Sequence, residues 1–266
     1  MSVRAKEEGA IIFRSSRTLV FAACAVLAAS GCHKSQPVPA STAATVAQPA
    51  LTGDGIVTGT VHYPGGQPPR VNIDMGQDPA CALSGKTPNL TEQYLVENGG
   101  LANVFVYIKS GLGGRVYPTP TTPVVLDQKG CRYEPHVVTV MVGQPLRVEN
   151  SDMTMHNVHT TPELPDNHSS DITQAPGGKP VDTTFAQAEA MIPVRCNNHP
   201  WMEAFVNVAA NPFYAITDSQ GHYEIHGLPP GTYTLGAVHE KMPEQDVTIT
   251  VAPQATVRSD FTFVTR

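Results

Sequence analysis

Cys196, His199 and Met202 follow one another at three-residue intervals. Their side chains are a thiolate, an imidazole and a thioether, and a redox-active copper ion binds all three. A blue-copper site uses two histidines and one cysteine in a trigonal plane, with a long axial methionine. This loop contains one histidine, so we expect a second one from elsewhere in the chain.

Upstream, an alternating stretch ending at Asn150 leads through a polar turn to the pair His156-Asn157. A strand that ends in a turn has this pattern, so His156 is the candidate for the second imidazole. Met153 and Met155 precede it and are alternative Cu(I) ligands. Seven further histidines lack ligand spacing and are expected at edges, in turns or on the surface: His62, His136, His159, His168, His222, His226 and His239.

The pair His156-Asn157, together with the C-x2-H-x2-M spacing that begins at Cys196, resembles the cupredoxins, such as plastocyanin and amicyanin. The short loop is most similar to that of amicyanin. The resemblance implies that Asn157 hydrogen-bonds to the cysteine loop and joins the two ligand segments. Asn197 stands where many members carry serine or threonine, which affects the hydrogen bonding of the loop. One type 1 copper ion is implied, with four ligands: His156, Cys196, His199 and Met202.

The same resemblance implies a surface route for electrons. In the family, the loop histidine lies near the surface inside an apolar patch. Pro200 and Trp201 flank His199 in this chain. They are the candidates for an electron port and for the surface on which a partner docks.

The composition of the 266-residue chain favours an all-β fold. Only 15% of the residues are charged, and 24 prolines and 22 glycines accompany many valines and threonines. Short strands joined by turns have this composition. The net charge of −6 and the lack of a basic stripe argue against nucleic-acid binding. Neither a Ser-His-Asp set nor a carboxylate pair with catalytic spacing is visible, so we do not expect an enzyme.

The N-terminus resembles the export signal of a bacterial lipoprotein. Residues 1–31 combine four basic side chains with a short apolar run, which is typical of a signal peptide. Cys32 follows a sequence that resembles a lipobox and is the expected lipidation site. Several acyl chains on one residue anchor a protein stably to a membrane. Residues 32–53 are rich in proline, alanine and threonine and predict a flexible tether. Ordinary cleavage, giving a soluble periplasmic product, is the alternative.

Two of the five cysteines, Cys81 and Cys131, have no part in the signal, the lipobox or the copper loop. In an exported protein such a pair favours a disulfide. The alternative is a second metal site that adds His136, although no tight C-x2-C spacing supports it.

Two C-terminal motifs resemble a second family. They are Thr-Asp-x2-Gly-x-Tyr from Thr217 and Gly-Leu-Pro-Pro-Gly-Thr-Tyr from Gly227. Both are similar to motifs of the carboxypeptidase regulatory-like, transthyretin-like sandwich. That family opens with a Gly-x-Val-x-Gly-x-Val strand and a Gly-x-Pro turn, and residues 55–69 have this opening.

We therefore predict an all-β chain in which a Greek-key cupredoxin β-sandwich packs with, or is inserted into, a transthyretin-like β-sandwich. The cupredoxin domain spans 122–209, and the second sandwich is split into 54–121 and 210–266. Insertion is tolerated where chain ends lie close together on a surface. The alternative is a continuous cupredoxin domain at 54–209 followed by a short sandwich. Both arrangements use the same ligands.

These features predict an exported, membrane-anchored type 1 copper protein that carries single electrons at the periplasmic or outer face of a bacterial membrane. Its partner is expected to be a redox protein such as a cytochrome or a periplasmic oxidoreductase, and net acidity could steer a basic partner. One alternative is periplasmic copper binding and delivery. Another is a structural or carbohydrate-binding-like module without copper, because fold alone does not assign function.

Overall fold

The structure, a computed structural model, describes residues 53–84 and 89–264. The predicted signal peptide, Cys32 and the tether up to residue 52 lie outside the described residues. In chain order the elements are β1 (Gly55–His62), α1 (Pro79–Ser84), β2 (Val96–Glu97), β3 (Gly100–Leu101), β4 (Phe105–Ser110), β5 (Val124–Gln128), β6 (Tyr133–Glu134), β7 (Val137–Met141), β8 (Leu146–Asn150), β9 (His156–Thr160), β10 (Asp171–Gln174), β11 (Val181–Thr183), β12 (Glu189–Arg195), β13 (Glu203–Ala209), β14 (Tyr214–Ile216), β15 (His222–Leu228), β16 (Gly231–His239), β17 (Met242–Val251), β18 (Thr256–Arg258) and β19 (Phe261–Thr262).

The predicted all-β class is confirmed, since the described part of the chain has many strands and one short helix. None of its helices is long and apolar enough to cross a bilayer. The strands form four sheets. Their orders are β15-β1-β3-β2 with β18 and β19 beside β1, then β10-β9-β12-β13-β7, then β11-β8-β5-β6, and lastly β14-β4-β16-β17.

The sheets sort the chain into a middle part and two flanking parts. Among the described strands, β5 to β13 pair only with one another. Strands before residue 111 pair with strands after residue 213: β1 lies antiparallel to β15, and β4 lies antiparallel to β14 and β16. A split sandwich requires this pairing. The domain boundaries themselves stay a prediction.

Two large apolar clusters fill the fold. The first is built mainly by the flanking strands and includes Phe105 and Leu235. The second is built by the middle strands and includes Leu126 and Ile192. Strand β7 is buried at every position. Val138 and Val140 pack in the second cluster, whereas Met141 at the end of the strand packs in the first. A near-continuous apolar run is typical of a strand that is covered on both faces.

One strand differs from its prediction. The apolar run at 101–109 predicts a single strand, but β3 ends at Leu101 and β4 begins at Phe105. Asn103 between them has φ 63°. Asparagine adopts this left-handed conformation more readily than most residues, so the chain turns here and enters a different sheet.

Candidate metal centre

Neighbouring strands bring the predicted ligands to one end of a sheet. His156 is the first residue of β9, and Cys196 directly follows β12. These strands pair antiparallel, with Arg195 opposite His159. Met202 directly precedes β13, which forms a hairpin with β12. The start of one strand and the loop of the adjacent hairpin therefore meet at the same edge.

Two hydrogen bonds donated by backbone N–H groups hold the loop. The Met202 N–H donates to the His199 carbonyl at 2.9 Å, which closes a tight turn. The Asn197 N–H donates to the side-chain Oδ1 of Asn157 at 2.6 Å. Asn157 thus makes the contact with the cysteine loop that the cupredoxin resemblance implies. The side chain of Asn197 is exposed and approaches His159 Nδ1 at 3.4 Å.

Three donor atoms converge inside the protein. Nδ1 of His156 lies 2.9 Å from Nδ1 of His199, and that same nitrogen of His199 lies 3.6 Å from Sγ of Cys196. The three residues present donor atoms within 4.8 Å of one another, and all are buried. Met202 is 1% exposed and packs in the same apolar cluster as Cys196. Three of the four predicted ligands thus converge at one buried location, and the fourth, Met202, is buried nearby in the same cluster as Cys196.

Carboxylates hold the far side of both imidazoles. His156 Nε2 lies 2.9 Å from Asp152 Oδ2, and His199 Nε2 lies 3.0 Å from Asp78 Oδ2. A carboxylate accepts, so each Nε2 carries a hydrogen, and a ring in its neutral form directs the lone pair of Nδ1 inward. Two lone pairs and a sulfur that face one another repel unless a proton or a metal cation lies between them. Metal-binding histidines commonly donate their other N–H to a carboxylate in this way.

Charge around the site favours the metal-binding form of the cysteine. Burial raises the pKa of the Cys196 thiol, but contacts with His156 and with backbone N–H groups outweigh it and lower the pKa to about 6. Burial lowers the pKa of His156, whereas Asp152 and Cys196 raise it, to about 9 overall. The hydrogen bond from His199 lowers the pKa of Asp78 to about 2. A thiolate is the form in which cysteine binds a metal, so the lowered pKa of Cys196 favours metal binding at this site.

The donor set fits a soft or borderline first-row metal ion. Bonds of roughly 2.0 Å to nitrogen and 2.3 Å to sulfur separate such donors by roughly 3.4–3.8 Å. The distance of 3.6 Å between Cys196 and His199 lies in this range, and the distance of 2.9 Å between His156 and His199 is shorter. A small separation of the two rings is enough to admit an ion. One thiolate, two imidazoles and a nearby thioether suit copper, whereas calcium and magnesium prefer oxygen ligands.

The disulfide predicted between Cys81 and Cys131 is present. Both cysteines are fully buried, and their sulfurs lie within 4.8 Å of a ring nitrogen of His156. The alternative of a second metal site with His136 does not fit, because the two sulfurs are bonded to each other. His136 instead contacts Glu240 at 2.7 Å.

The predicted electron port looks different in the structure. Pro200 is exposed and Trp201 is half-buried. The Trp201 ring lies 5.1 Å from the His199 ring, and its N–H donates to the Cys131 carbonyl. His199 itself is 3% exposed, and Asp78 covers the edge of its ring. The surface-facing imidazole that the resemblance implies is therefore closed over here.

Sequence reasoning missed both carboxylates. Asp152 lies four residues before His156, a spacing at which a turn can bring the two together. The short spacing to His156 could have identified Asp152 from the sequence. Asp78 lies 121 residues from His199, and no local pattern connects them.

Two histidines expected at the surface are buried instead. His239 is 2% exposed, stacks on Tyr94 and accepts a hydrogen bond from the Lys241 N–H. His136 is 8% exposed and binds Glu240, whose side chain is fully buried. Ring stacking and a buried carboxylate make these interior sites acceptable for imidazoles.

Comparison with known proteins finds two kinds of similarity. The family model of the carboxypeptidase regulatory-like domain matches residues 196–264. The match begins at Cys196. We expect the second segment of the split sandwich to begin later, at residue 210. A comparison with curated proteins finds no match.

Among solved structures, an oxidized amicyanin mutant is 24% identical over 33% of this chain and 82% of its own. A Cu(I) amicyanin mutant is 20% identical over 39% of this chain and 98% of its own. A copper-containing nitrite reductase from Thermus scotoductus SA-01 is 17% identical over 52% of this chain and 28% of its own. The TM-score is 0.30 in all three cases.

Proposed function

We propose that this chain is a type 1 copper protein that carries single electrons. The observation that supports this most strongly is the convergence of His156, Cys196 and His199 in a buried site, with Met202 buried in the same apolar cluster as Cys196. Bound copper supplies one-electron chemistry that the side chains alone lack.

The chain holds the ligands before the ion arrives. Asp152 and Asp78 fix the two imidazole rings by their Nε2 atoms. Asn157 fixes the cysteine loop. Strands β9, β12 and β13 fix the backbone on which these residues lie, and burial excludes water. A rigid ligand set of mixed softness suits both oxidation states of copper, so an electron can pass with little rearrangement.

Location and partner are part of the proposal and depend on the sequence. The signal-like residues 1–31 and the lipobox-like Cys32 support export and a lipid anchor facing the periplasm or the cell exterior. A cytochrome or a periplasmic oxidoreductase is the kind of redox protein that would exchange electrons with such a domain. The copper domain is proposed at 122–209 within a sandwich split into 54–121 and 210–266, consistent with the strand pairing.

The test is a Cu(II) titration of the full-length protein followed by visible absorption and EPR. We expect one equivalent of copper and a strong thiolate-to-copper charge-transfer band. Cys196→Ser should abolish the band. His168→Gln, which changes an exposed histidine away from the site, is the matched control and should keep it. Failure to bind stoichiometric copper would instead favour a structural or carbohydrate-binding-like module.

Copper delivery is the second candidate, and two exposed thioethers favour it. Met153 is 84% exposed and Met155 is 49% exposed, directly before His156. Thioethers select Cu(I), so the pair could receive or release the ion at the surface. The test is the double variant Met153→Leu/Met155→Leu. If it no longer exchanges Cu(I) with an acceptor chelator but still transfers electrons, the result would support delivery. Unchanged exchange would leave electron transfer as the better function.

A further inference from the structure

We propose that residues 73–84, here called the cap, form a disulfide-held cover over the metal centre, in which Asp78 positions His199. This inference deepens the proposed copper function and rests on it. The cap lies before the middle strands in sequence, outside the segment that contains the four predicted ligands. It therefore adds a structural element that the ligand motif does not imply.

Asp78 joins the cap to both ligand segments. Its Oδ2 accepts hydrogen bonds from His199 Nε2 at 3.0 Å and from Thr154 Oγ1 at 2.9 Å. Its Oδ1 accepts from the Ala80 N–H at 2.8 Å at the start of α1. Because Thr154 lies two residues before His156, one carboxylate links α1, the cysteine loop and the approach to β9. The ring of His199 is thereby fixed in orientation and shielded from solvent.

The apolar attachment of the cap is a single small cluster. Its buried members are Met75 and the two disulfide cysteines, with Ile73 and Trp201 packed against them. Its buried members belong to neither of the two large clusters, and Trp201 alone packs against both this cluster and the second large one. A segment with few buried apolar contacts opens at low free-energy cost. The covalent bond from Cys81 to Cys131 therefore supplies much of the attachment.

The cap covers the route to the metal ligands. The disulfide sulfurs lie within 4.8 Å of a ring nitrogen of His156, and Asp78 accepts a hydrogen bond from His199 Nε2, so the cap reaches both imidazoles. Reagents that attack Cys196 and chelators that remove the ion must wait for the cap to open, or must approach from another side. A redox partner likewise meets the cap and Trp201 rather than the bare ring of His199.

The first experiment uses the metal-free, full-length protein and does not depend on copper. The protein is treated with N-ethylmaleimide, and peptide mass spectrometry measures the rate at which Cys196 alone is labelled. We expect labelling to accelerate about tenfold in Cys81→Ser/Cys131→Ser and severalfold in Asp78→Asn, because each change releases the cap. Asp74→Asn is the matched control: it alters an exposed carboxylate in the same segment and should leave the rate unchanged.

Equal labelling rates in the unaltered protein and the three variants would overturn the proposed role of the cap. If the double serine variant fails to fold, as judged by circular dichroism, Asp78→Asn decides the question alone. A rate increase in Asp74→Asn equal to that in Asp78→Asn would also overturn the positioning role, because it would show a general loosening.

The second experiment uses the copper-loaded protein. Asp78→Asn should raise the reduction potential, because removing a negative charge beside the ion destabilises Cu(II). It should also speed removal of Cu(I) by bathocuproine disulfonate, whereas Asp74→Asn should do neither. A merely structural role for Asp78 predicts an unchanged potential. If no variant binds copper but labelling follows the predicted order, the copper function fails while the cap stands.

Discussion

The backbone N–H of Asn197 donates a 2.6 Å hydrogen bond to the side-chain oxygen of Asn157, and this bond joins the two segments that carry the ligands. Asn157 is buried and also donates to Asp171 Oδ1 at 2.7 Å. One amide therefore satisfies a loop N–H on one side and a carboxylate on the other.

Asn157→Ala should loosen the cysteine loop. It leaves the Asn197 N–H, whose hydrogen bond is partly buried, without its acceptor, and a group left unsatisfied in the interior costs about 1–3 kcal/mol. The Asp171 carboxylate is exposed, so water replaces its lost partner. We expect the free energy of unfolding to fall by about that amount in urea denaturation. Asn198→Ala, an exposed neighbour in the loop, is the control and should change stability by less than about 0.5 kcal/mol. Equal effects of the two substitutions would show that the hydrogen bond is unimportant.

Asp152→Asn should weaken metal binding. Asp152 Oδ2 accepts from His156 Nε2, and its two oxygens also accept from the N–H groups of Gly130 and Cys131. Loss of a carboxylate behind a ligating imidazole typically lowers metal affinity about 10–100-fold. Competition with a calibrated copper chelator measures this change. Asp182→Asn removes an exposed carboxylate on β11 and should leave affinity unaltered; a similar drop there would contradict the prediction.

Met202 offers a way to separate packing from ligation. Met202→Ala leaves a cavity in the core and should cost about 2–5 kcal/mol of unfolding free energy. Met202→Leu keeps the volume and should cost less than about 1.5 kcal/mol. If the thioether is a ligand, the leucine variant nevertheless changes the copper spectrum.

The control for Met202 is Met242→Leu, which changes a buried methionine in the other large cluster. Its copper spectrum should match that of the unaltered protein. An unchanged spectrum in Met202→Leu as well would assign Met202 to packing alone.

Burial of His239 should make stability depend on pH. Burial, together with the positive charges of His136 and Lys241, lowers the pKa of His239 from 6.5 to about 4. Between these values the unfolded chain binds a proton that the folded protein does not. Stability therefore rises with pH in this window and falls as the pH drops below 6.5. The loss between pH 7 and pH 5 should be about 2 kcal/mol.

Urea denaturation at both pH values measures the effect of His239. His239→Gln should lose most of this pH dependence, and His226→Gln, an exposed histidine on β15, should retain it. An identical pH dependence in all three proteins would assign the effect to other groups.

Much of the fold class, and the donor residues that the structure brings together, could be predicted from the sequence. Alternating apolar residues, as in β8, and frequent glycine and proline favoured strands and turns. The spacing of Cys196, His199 and Met202 placed three donors in one loop, and the compartment argument paired Cys81 with Cys131. These are properties of residue type and short-range spacing, which the chain displays directly.

The rest depended on contacts between distant parts of the chain. Asp78 and His199 are 121 residues apart in the chain, and local sequence patterns do not predict a contact between residues so far apart. The direction of each Nδ1 atom follows from carboxylates on the far side of the rings, and burial of His239 follows from the packing of Tyr94 against it. The sequence alone determined which donors this protein has. The tertiary structure decided how they face one another and what covers them, because orientation and burial arise only when separate strands and loops pack together.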